Sequence, residues 1–329
     1  MTKGLTNLGN TCYMNSALQC LTHLDSLQFN NELFIEDIRK RSSKNDDSLI
    51  KEWLSFQKEI WINTDNQVVN TRSILINFME LCRKNNYYFE SFVQNDSQEF
   101  INLFIDLLHN SIKRKVRIEV SGEAKNDYDL MKIKSIESWK TFFESNYSYI
   151  IKNFYSKLVS HTQCPECNYK TTNYEPICTI TLPLNKNHGS IYDSLNEYVD
   201  TTMLDNDNTW KCDHCKQMVQ SIKKCEFLEL SPVLIFCMKQ FRKGIKINHH
   251  IDFPETITMN NYCINKNQNY QYRLKGVSIH SGGLHGGHYY AMCRSKNGKW
   301  YNCNDSSVSE VSLETVLSET PYCLFYERI

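Results

Sequence analysis

Two cysteine pairs constrain this chain more than any other feature: Cys164-Pro165-Glu166-Cys167 and Cys212-Asp213-His214-Cys215. Four thiolates at this spacing suit a closed, tetrahedral structural zinc site, while a redox role stays open to either pair taken alone. Residues 168–211 exceed the ~15–20-residue loop of a compact zinc ribbon. The intervening chain must therefore build structure of its own before it returns. Four sulfur ligands leave no coordination position for water, which argues against catalysis by such a metal. His214, between two ligands, reads as a bystander.

The chain has 329 residues, enough for one elaborate domain or two smaller ones. Lys+Arg and Asp+Glu both number 37, and this zero formal charge argues against bulk electrostatic binding of nucleic acid. No apolar run approaches the ~20 residues of a membrane helix, and residues 1–8 carry no apolar signal region. We therefore expect no nucleic-acid or membrane partner and a cytoplasmic or nuclear, reducing location. In such a compartment the 14 cysteines are poor candidates for a disulfide framework.

Residues 1–110 read as mainly helical. Phe100, Leu103, Phe104, Leu107 and Leu108 repeat at helical spacing after Ser97. Residues 111–135 are charged and aperiodic, as in a surface insertion. From about residue 152 the runs become short and β-rich: Thr179–Leu184, Val233–Met238, Leu274–His280, His288–Cys293 and Tyr322–Tyr326. A helical half followed by a strand-rich half indicates an α+β protein, with room for a site in the cleft between them.

Within Gly4-Leu5-Thr6-Asn7-Leu8-Gly9-Asn10-Thr11-Cys12-Tyr13-Met14-Asn15, a glycine-containing loop runs into a helix, with Asn10 the expected N-cap. Cys12 then sits in the first turn, where the helix dipole favours the thiolate, the form that attacks a carbonyl. The bland reading, a small buried cysteine that happens to start a helix, is equally open on position alone. Asn7 offers an amide donor for an oxyanion. A nucleophile needs a base, and His288 has the most unusual setting among the histidines, at the mouth of Ser281-Gly282-Gly283-Leu284-His285-Gly286-Gly287. A turn at Asn297-Gly298 would return Asn304 or Asp305 beside His288, where either side chain could orient the imidazole.

GLTNLGNTCYMNSALQCL resembles the Cys box of the ubiquitin-specific proteases, and HSGGLHGGHYYA with WYNCNDSSV resembles their His box. The likeness continues through Gln94–Phe100, the CxxC pairs, Ser231–Ile235 and Tyr322–Tyr326, so it covers the chain from about Gly4 to Arg328. It implies a papain-like cysteine protease fold in a single domain over 1–329. The helical thumb would span about 1–110, zinc-bearing β fingers about 152–230, and an antiparallel β palm about 231–329.

The resemblance also implies roles. Cys12 matches the nucleophile, His288 the general base, Asn304 the orienting residue, Asp305 an adjacent acid that shares that role, and Asn7 the oxyanion donor. Cys164, Cys167, Cys212 and Cys215 match ligands of one structural Zn2+, with no organic cofactor. Gln94, Asp96 and Glu99 match residues lining the groove for the arginines of ubiquitin's tail, although Asp96 and Glu99 read equally well as a helix capping box. Tyr289 matches a wall of the tunnel for the tail's Gly-Gly end.

The expected activity is thiol-dependent hydrolysis after the C-terminal glycine of ubiquitin, by a monomer whose partners are ubiquitin and ubiquitinated proteins. The alternatives are a protease for another ubiquitin-like modifier or a catalytically silent ubiquitin-binding module. One departure from the family pattern lies at Met238-Lys239-Gln240-Phe241, where a more basic Leu-Lys-Arg-Phe is usual.

Overall fold

The computed structural model describes residues 2–64, 67–90, 92–204, 208–242, 244–283 and 286–329. Leu284 and His285, in the glycine-rich segment read from the sequence, lie outside them. Five helices lead the chain: α1 (Cys12–Thr22), α2 (Glu32–Arg39), α3 (Ser48–Trp61), α4 (Arg72–Lys84) and α5 (Ser97–Ile112). An aromatic cluster binds them, with Phe78 and Phe100 ring centres 4.8 Å apart and Trp53 5.5 Å from Phe104. Phe100, Phe104, Leu107 and Leu108 are buried as their spacing predicts, and Leu103 is partly buried.

Every residue of α1 is buried, because the helix is packed between the other helices and a sheet. That sheet runs in the order Ser307–Val311, Trp300–Asn304, Gly286–Arg294, Gln271–Gly283, Pro321–Arg328, Val233–Met238, Thr179–Leu182. Alternation sorts its side chains: Val233, Ile235 and Cys237 join the core under the helices, while Leu234, Phe236 and Met238 join a second core on the other face. Both faces are covered, which is why Val233–Met238 is apolar throughout. At Gly276 an added Cβ would stand 3.3 Å from the Cys20 Cα, so this glycine sets how closely α1 approaches the sheet.

One edge departs from the expected antiparallel palm. Thr179–Leu182 pairs with Val233–Met238 in parallel, Ile235 opposite Thr179. Parallel neighbours need a long crossover, and residues 183–232 supply one. Part of that crossover joins a second, antiparallel sheet ordered Lys170–Ile177, Ser156–Gln163, Ile222–Glu229, Thr202–Met203, whose far end carries the cysteine pairs.

The segment expected to be irregular is partly helical. α6 (Asp127–Ser145) begins at Asn126, whose side chain accepts from the Asp129 amide. Only Ser135 of α6 is buried, so its apolar stripe is too thin to be read as a core-facing helix. α7 (Tyr149–Phe154) follows. Among the described residues no helix is long and apolar enough to cross a membrane.

Candidate active site

Cys12 is the first residue of α1, and the loop before it is held by a side chain. Asn7 Oδ1 accepts from the amides of Gly9 (3.0 Å) and Thr11 (3.2 Å) and from Thr11 Oγ1 (3.3 Å). The N-cap is Thr11, not Asn10. Asn10 takes φ of +54°, a left-handed conformation asparagine tolerates, and its amide donates to Phe92 O at 3.1 Å. Enclosure works against the thiolate that the helix start favours. Cys12 is 5% exposed, and burial pushes its thiol above the ordinary value, with the Asp305 charge adding to the rise. Backbone hydrogen bonds with Tyr289 and Tyr13 oppose the shift without cancelling it. The resting nucleophile is therefore a thiol, and a base must take its proton.

His288 lies in the Gly286–Arg294 strand, next to Trp300–Asn304 in the sheet. Gly298, at φ of +85°, closes the intervening turn with its amide on Ser295 O at 2.9 Å. His288 Nε2 is 2.7 Å from Asn304 Oδ1. An amide oxygen only accepts, so Nε2 is the donor, and in the neutral ring the lone pair that a general base requires is then on Nδ1.

Asp305 completes a two-residue turn, with Asn304 opposite Ser307 and φ of +47° at Asp305. Its carboxylate lies 4.0 Å from His288 Nε2, too far for a hydrogen bond. It accepts instead from Asn15 Nδ2 at 2.7 Å and Asn7 Nδ2 at 2.9 Å. Asp305 thus ties the nucleophile's helix and loop to the turn that orients the base. Asn7 keeps a second amide hydrogen beyond the one given to Asp305. Gly4 makes the same junction from below: an added Cβ would meet Ser306 O at 2.2 Å, so only glycine fits under the turn. The Leu5 amide donates to Asp305 O at 2.7 Å.

A cleft of about 200 Å³ opens beside Cys12, lined by Gln94, Asp96, Phe241, His280 and Tyr289 among others. Asp96 is the N-cap of α5, accepting from the Gln98 amide at 2.6 Å, and its other oxygen accepts from Tyr322 Oη at 2.5 Å. Gln94 is exposed at the rim. Glu99 is exposed on the first turn of α5 and does not line this cleft. Tyr289 is buried, its ring centre 4.5 Å from His280 and 5.5 Å from Tyr322. Sequence reasoning passed over His280 and Asn15. For Asn15 the only signal was its place one turn after Cys12, facing the same way.

The four cysteines converge. All four Sγ atoms lie within 4.8 Å of one another, with Cys164–Cys215 at 3.8 Å and Cys167–Cys212 at 3.6 Å. A tetrahedron with Zn–S of ~2.3 Å places its sulfurs about 3.8 Å apart, so the donor set fits. Each pair sits in the same turn: the amides of Asn168 and Lys216 donate to Cys164 O and Cys212 O, and both residues have positive φ. His214 stacks on Tyr169 outside the cluster, with ring centres 5.8 Å apart.

The sequence model of the family described as ubiquitin carboxyl-terminal hydrolase matches residues 3–326. Ubiquitin carboxyl-terminal hydrolase 2 of Homo sapiens is 30% identical over 335 residues, which cover 98% of this chain and 54% of that protein. Ubiquitin carboxyl-terminal hydrolase 25 of Arabidopsis thaliana is 29% identical over 341 residues, covering 99% of this chain and 47% of that one. The chain thus spans about half the length of the curated relatives it matches. Among solved structures, a chain of the SAGA DUB module with Ubp8, Sgf11, Sus1 and Sgf73, bound to monoubiquitin, superposes with TM-score 0.73 at 26% identity. The match covers 99% of this chain and 69% of that one. A yeast SAGA DUB module chain gives TM-score 0.76 at 25% identity, over 99% and 68% of the two chains. The fold, the paired boxes and a family match over nearly every residue agree: the chain belongs to the ubiquitin carboxyl-terminal hydrolase family.

Proposed function

We propose that this chain is a thiol-dependent deubiquitinase that cleaves the isopeptide or peptide bond after the C-terminal glycine of ubiquitin. The observation that carries the reading is the His288–Asn304 hydrogen bond at 2.7 Å, on a strand whose next residue, Tyr289, reaches the buried Cys12 through its backbone and lines the same narrow cleft. His288 Nδ1 takes the Cys12 proton as sulfur attacks the glycine carbonyl. The second N–H of Asn7 and the Cys12 amide receive the oxyanion, an interaction of about 3–4 kcal/mol in comparable sites. The imidazolium then protonates the departing amine, giving a thioester, and His288 activates the water that hydrolyses it. Asn304 orients the ring without adding charge.

Substrate choice follows from the cleft's dimensions. Gly287 lines the cleft of about 200 Å³, and a side chain at this position would displace the cleft wall, since an added Cβ would stand 2.1 Å from His280 Nε2. A tail ending in two glycines suits so narrow a passage. Gln94 and Asp96 line its entrance side and Tyr289 its wall, while Glu99, outside the lining, is left to a role in the first turn of α5.

Cys164, Cys167, Cys212 and Cys215 would hold one Zn2+, whose role is to fix the end of the fingers sheet. Four thiolate ligands leave no open position for chemistry. Action as a monomer belongs to the same proposal, and so does a reducing cytoplasmic or nuclear setting, because nucleophile and zinc ligands both need reduced sulfur.

The test is hydrolysis of a fluorogenic amide at the C-terminus of ubiquitin, run beside the same amide on other ubiquitin-like modifiers. Turnover on ubiquitin that vanishes in Cys12→Ala supports the reading. Retained hydrolysis in that variant, or turnover on another modifier alone, contradicts it.

A further inference from the structure

Among the described residues, the strand that precedes the base lacks a neighbouring strand along one edge at its end. Gln271–Gly283 pairs on one side with Pro321–Arg328, and that ladder stops at Ile279 opposite Pro321. On the other side its pairing with Gly286–Arg294 runs on to Gly283 opposite Gly286. Residues 280–283 therefore form a two-stranded ribbon whose outer edge has no strand beside it among the described residues. A two-stranded ribbon is marginal in water, and this one contains Gly282 at φ of +113°. It carries the candidate base, since His288 stands directly opposite Ser281.

A lysine takes the place of the missing strand. Lys246 Nζ donates to His280 O at 2.7 Å and to Gly282 O at 3.0 Å, the carbonyls on either side of Ser281. Carbonyls two residues apart face the same edge of a strand, so one ammonium can cap both. Bonds from a charged donor are about twice as strong as neutral ones. Lys246 is itself held by a short ribbon, Phe241–Arg242 against Ile245–Lys246, and its ammonium lies 5.9 Å from the Phe241 ring centre. Where the neighbouring strand ends, Gln240 Nε2 donates to Pro321 O at 3.0 Å. One of the residues that depart from the family pattern thus satisfies that strand's first carbonyl.

We propose that Lys246 is a positioning residue for the reaction: it latches the ribbon carrying His288 and so fixes both the base and the cleft wall at His280. The proposal rests on the functional reading above. Lys246 touches no reacting atom, and its effect passes through the two carbonyls.

The test compares wild type with Lys246→Met, which keeps the aliphatic stem and loses the donors, and Lys246→Arg, which keeps charged donors. Hydrogen exchange and hydrolysis of the fluorogenic ubiquitin amide are measured on all three. In Lys246→Met we expect the amides that face across the ribbon, at Ser281, Gly283, Gly286 and His288, to exchange about 100-fold faster, as loss of two charged hydrogen bonds implies. Exchange in Val233–Met238 and the thermal midpoint stay at wild-type values, kcat falls more than KM rises, and Lys246→Arg recovers both readouts in part. Unchanged exchange in the ribbon, or faster exchange spread evenly over the whole chain, overturns the latch. If wild type fails to hydrolyse the amide, the functional reading fails by itself. Exchange in the ribbon then still decides whether Lys246 latches it.

Discussion

Asn304 Oδ1 accepts a hydrogen bond from His288 Nε2 at 2.7 Å, while the Asp305 carboxylate stands 4.0 Å from the same nitrogen. The two neighbours divide the work: the neutral amide fixes the tautomer, and the charged group braces the loop and helix of the nucleophile. Replacing Asn304 by alanine should lower kcat by roughly 100-fold, less than the ~10⁴-fold lost when a serine protease's orienting aspartate is changed to asparagine. Asn304→Asp should keep turnover, measured on the same ubiquitin amide, because a carboxylate oxygen accepts the same bond from His288 Nε2.

Burial and the Asp305 charge both hold Cys12 in its thiol form. Alkylation of the free enzyme by iodoacetamide, specific to Cys12 by peptide mapping, should therefore keep accelerating as pH rises past the ordinary thiol value of 9.0. Asp305→Asn removes a negative charge and should move that curve to lower pH. Burial, the larger cause, remains, so the curve should still lie above that of a free thiol.

Removing the metal should separate the fingers from the site. Metal analysis of purified protein should give one zinc per chain, and Cys164→Ser or a strong chelator should lower that ratio. Binding energy at such sites is folding energy, of order 10 kcal/mol in isolated fingers. The thermal midpoint should accordingly fall, and exchange should rise first in Ser156–Gln163 and Ile222–Glu229, which lead to the site.

His23 gives the fold a pH dependence unrelated to catalysis. It is fully buried in α1's cap region, bonded to Gln19 O at 2.7 Å and Thr2 Oγ1 at 2.6 Å, and burial lowers its pKa from 6.5 to about 4. The folded state keeps it neutral while the unfolded chain takes up a proton below pH 6.5. Stability is thus undiminished above that pH and falls as pH drops toward 4, by about 3 kcal/mol in all. Urea unfolding from pH 7 to 4 checks this, and His23→Gln should flatten the slope.

Much of the site was legible because its chemistry is local. Cys12 follows a glycine-containing loop, His288 follows glycines, and the CxxC pairs announce themselves by spacing. What escaped depends on distant partners. Asn15 meets Asp305, and Lys246 meets His280 and Gly282, only after the sheet has formed; Lys246 has no residue type or spacing that marks such a bond, and Asn15 only its place one turn after Cys12. The raised thiol of Cys12 is hidden from the sequence for a similar reason: a helix start is visible there, but its burial in the folded chain and the nearby Asp305 charge are not. The parallel edge strand and α6 were missed because a four-residue strand and a thinly buried helix leave little periodicity to read.

The central claim is that Cys12 is the sulfur that attacks ubiquitin's C-terminal carbonyl. Incubation with ubiquitin carrying a C-terminal electrophile, followed by intact-mass and peptide analysis, tests it most directly. The account predicts a single adduct on Cys12, formed fast in wild type and slowly in His288→Ala, and absent in Cys12→Ala. An adduct on any other cysteine, or none while a different modifier's probe labels Cys12, would contradict it.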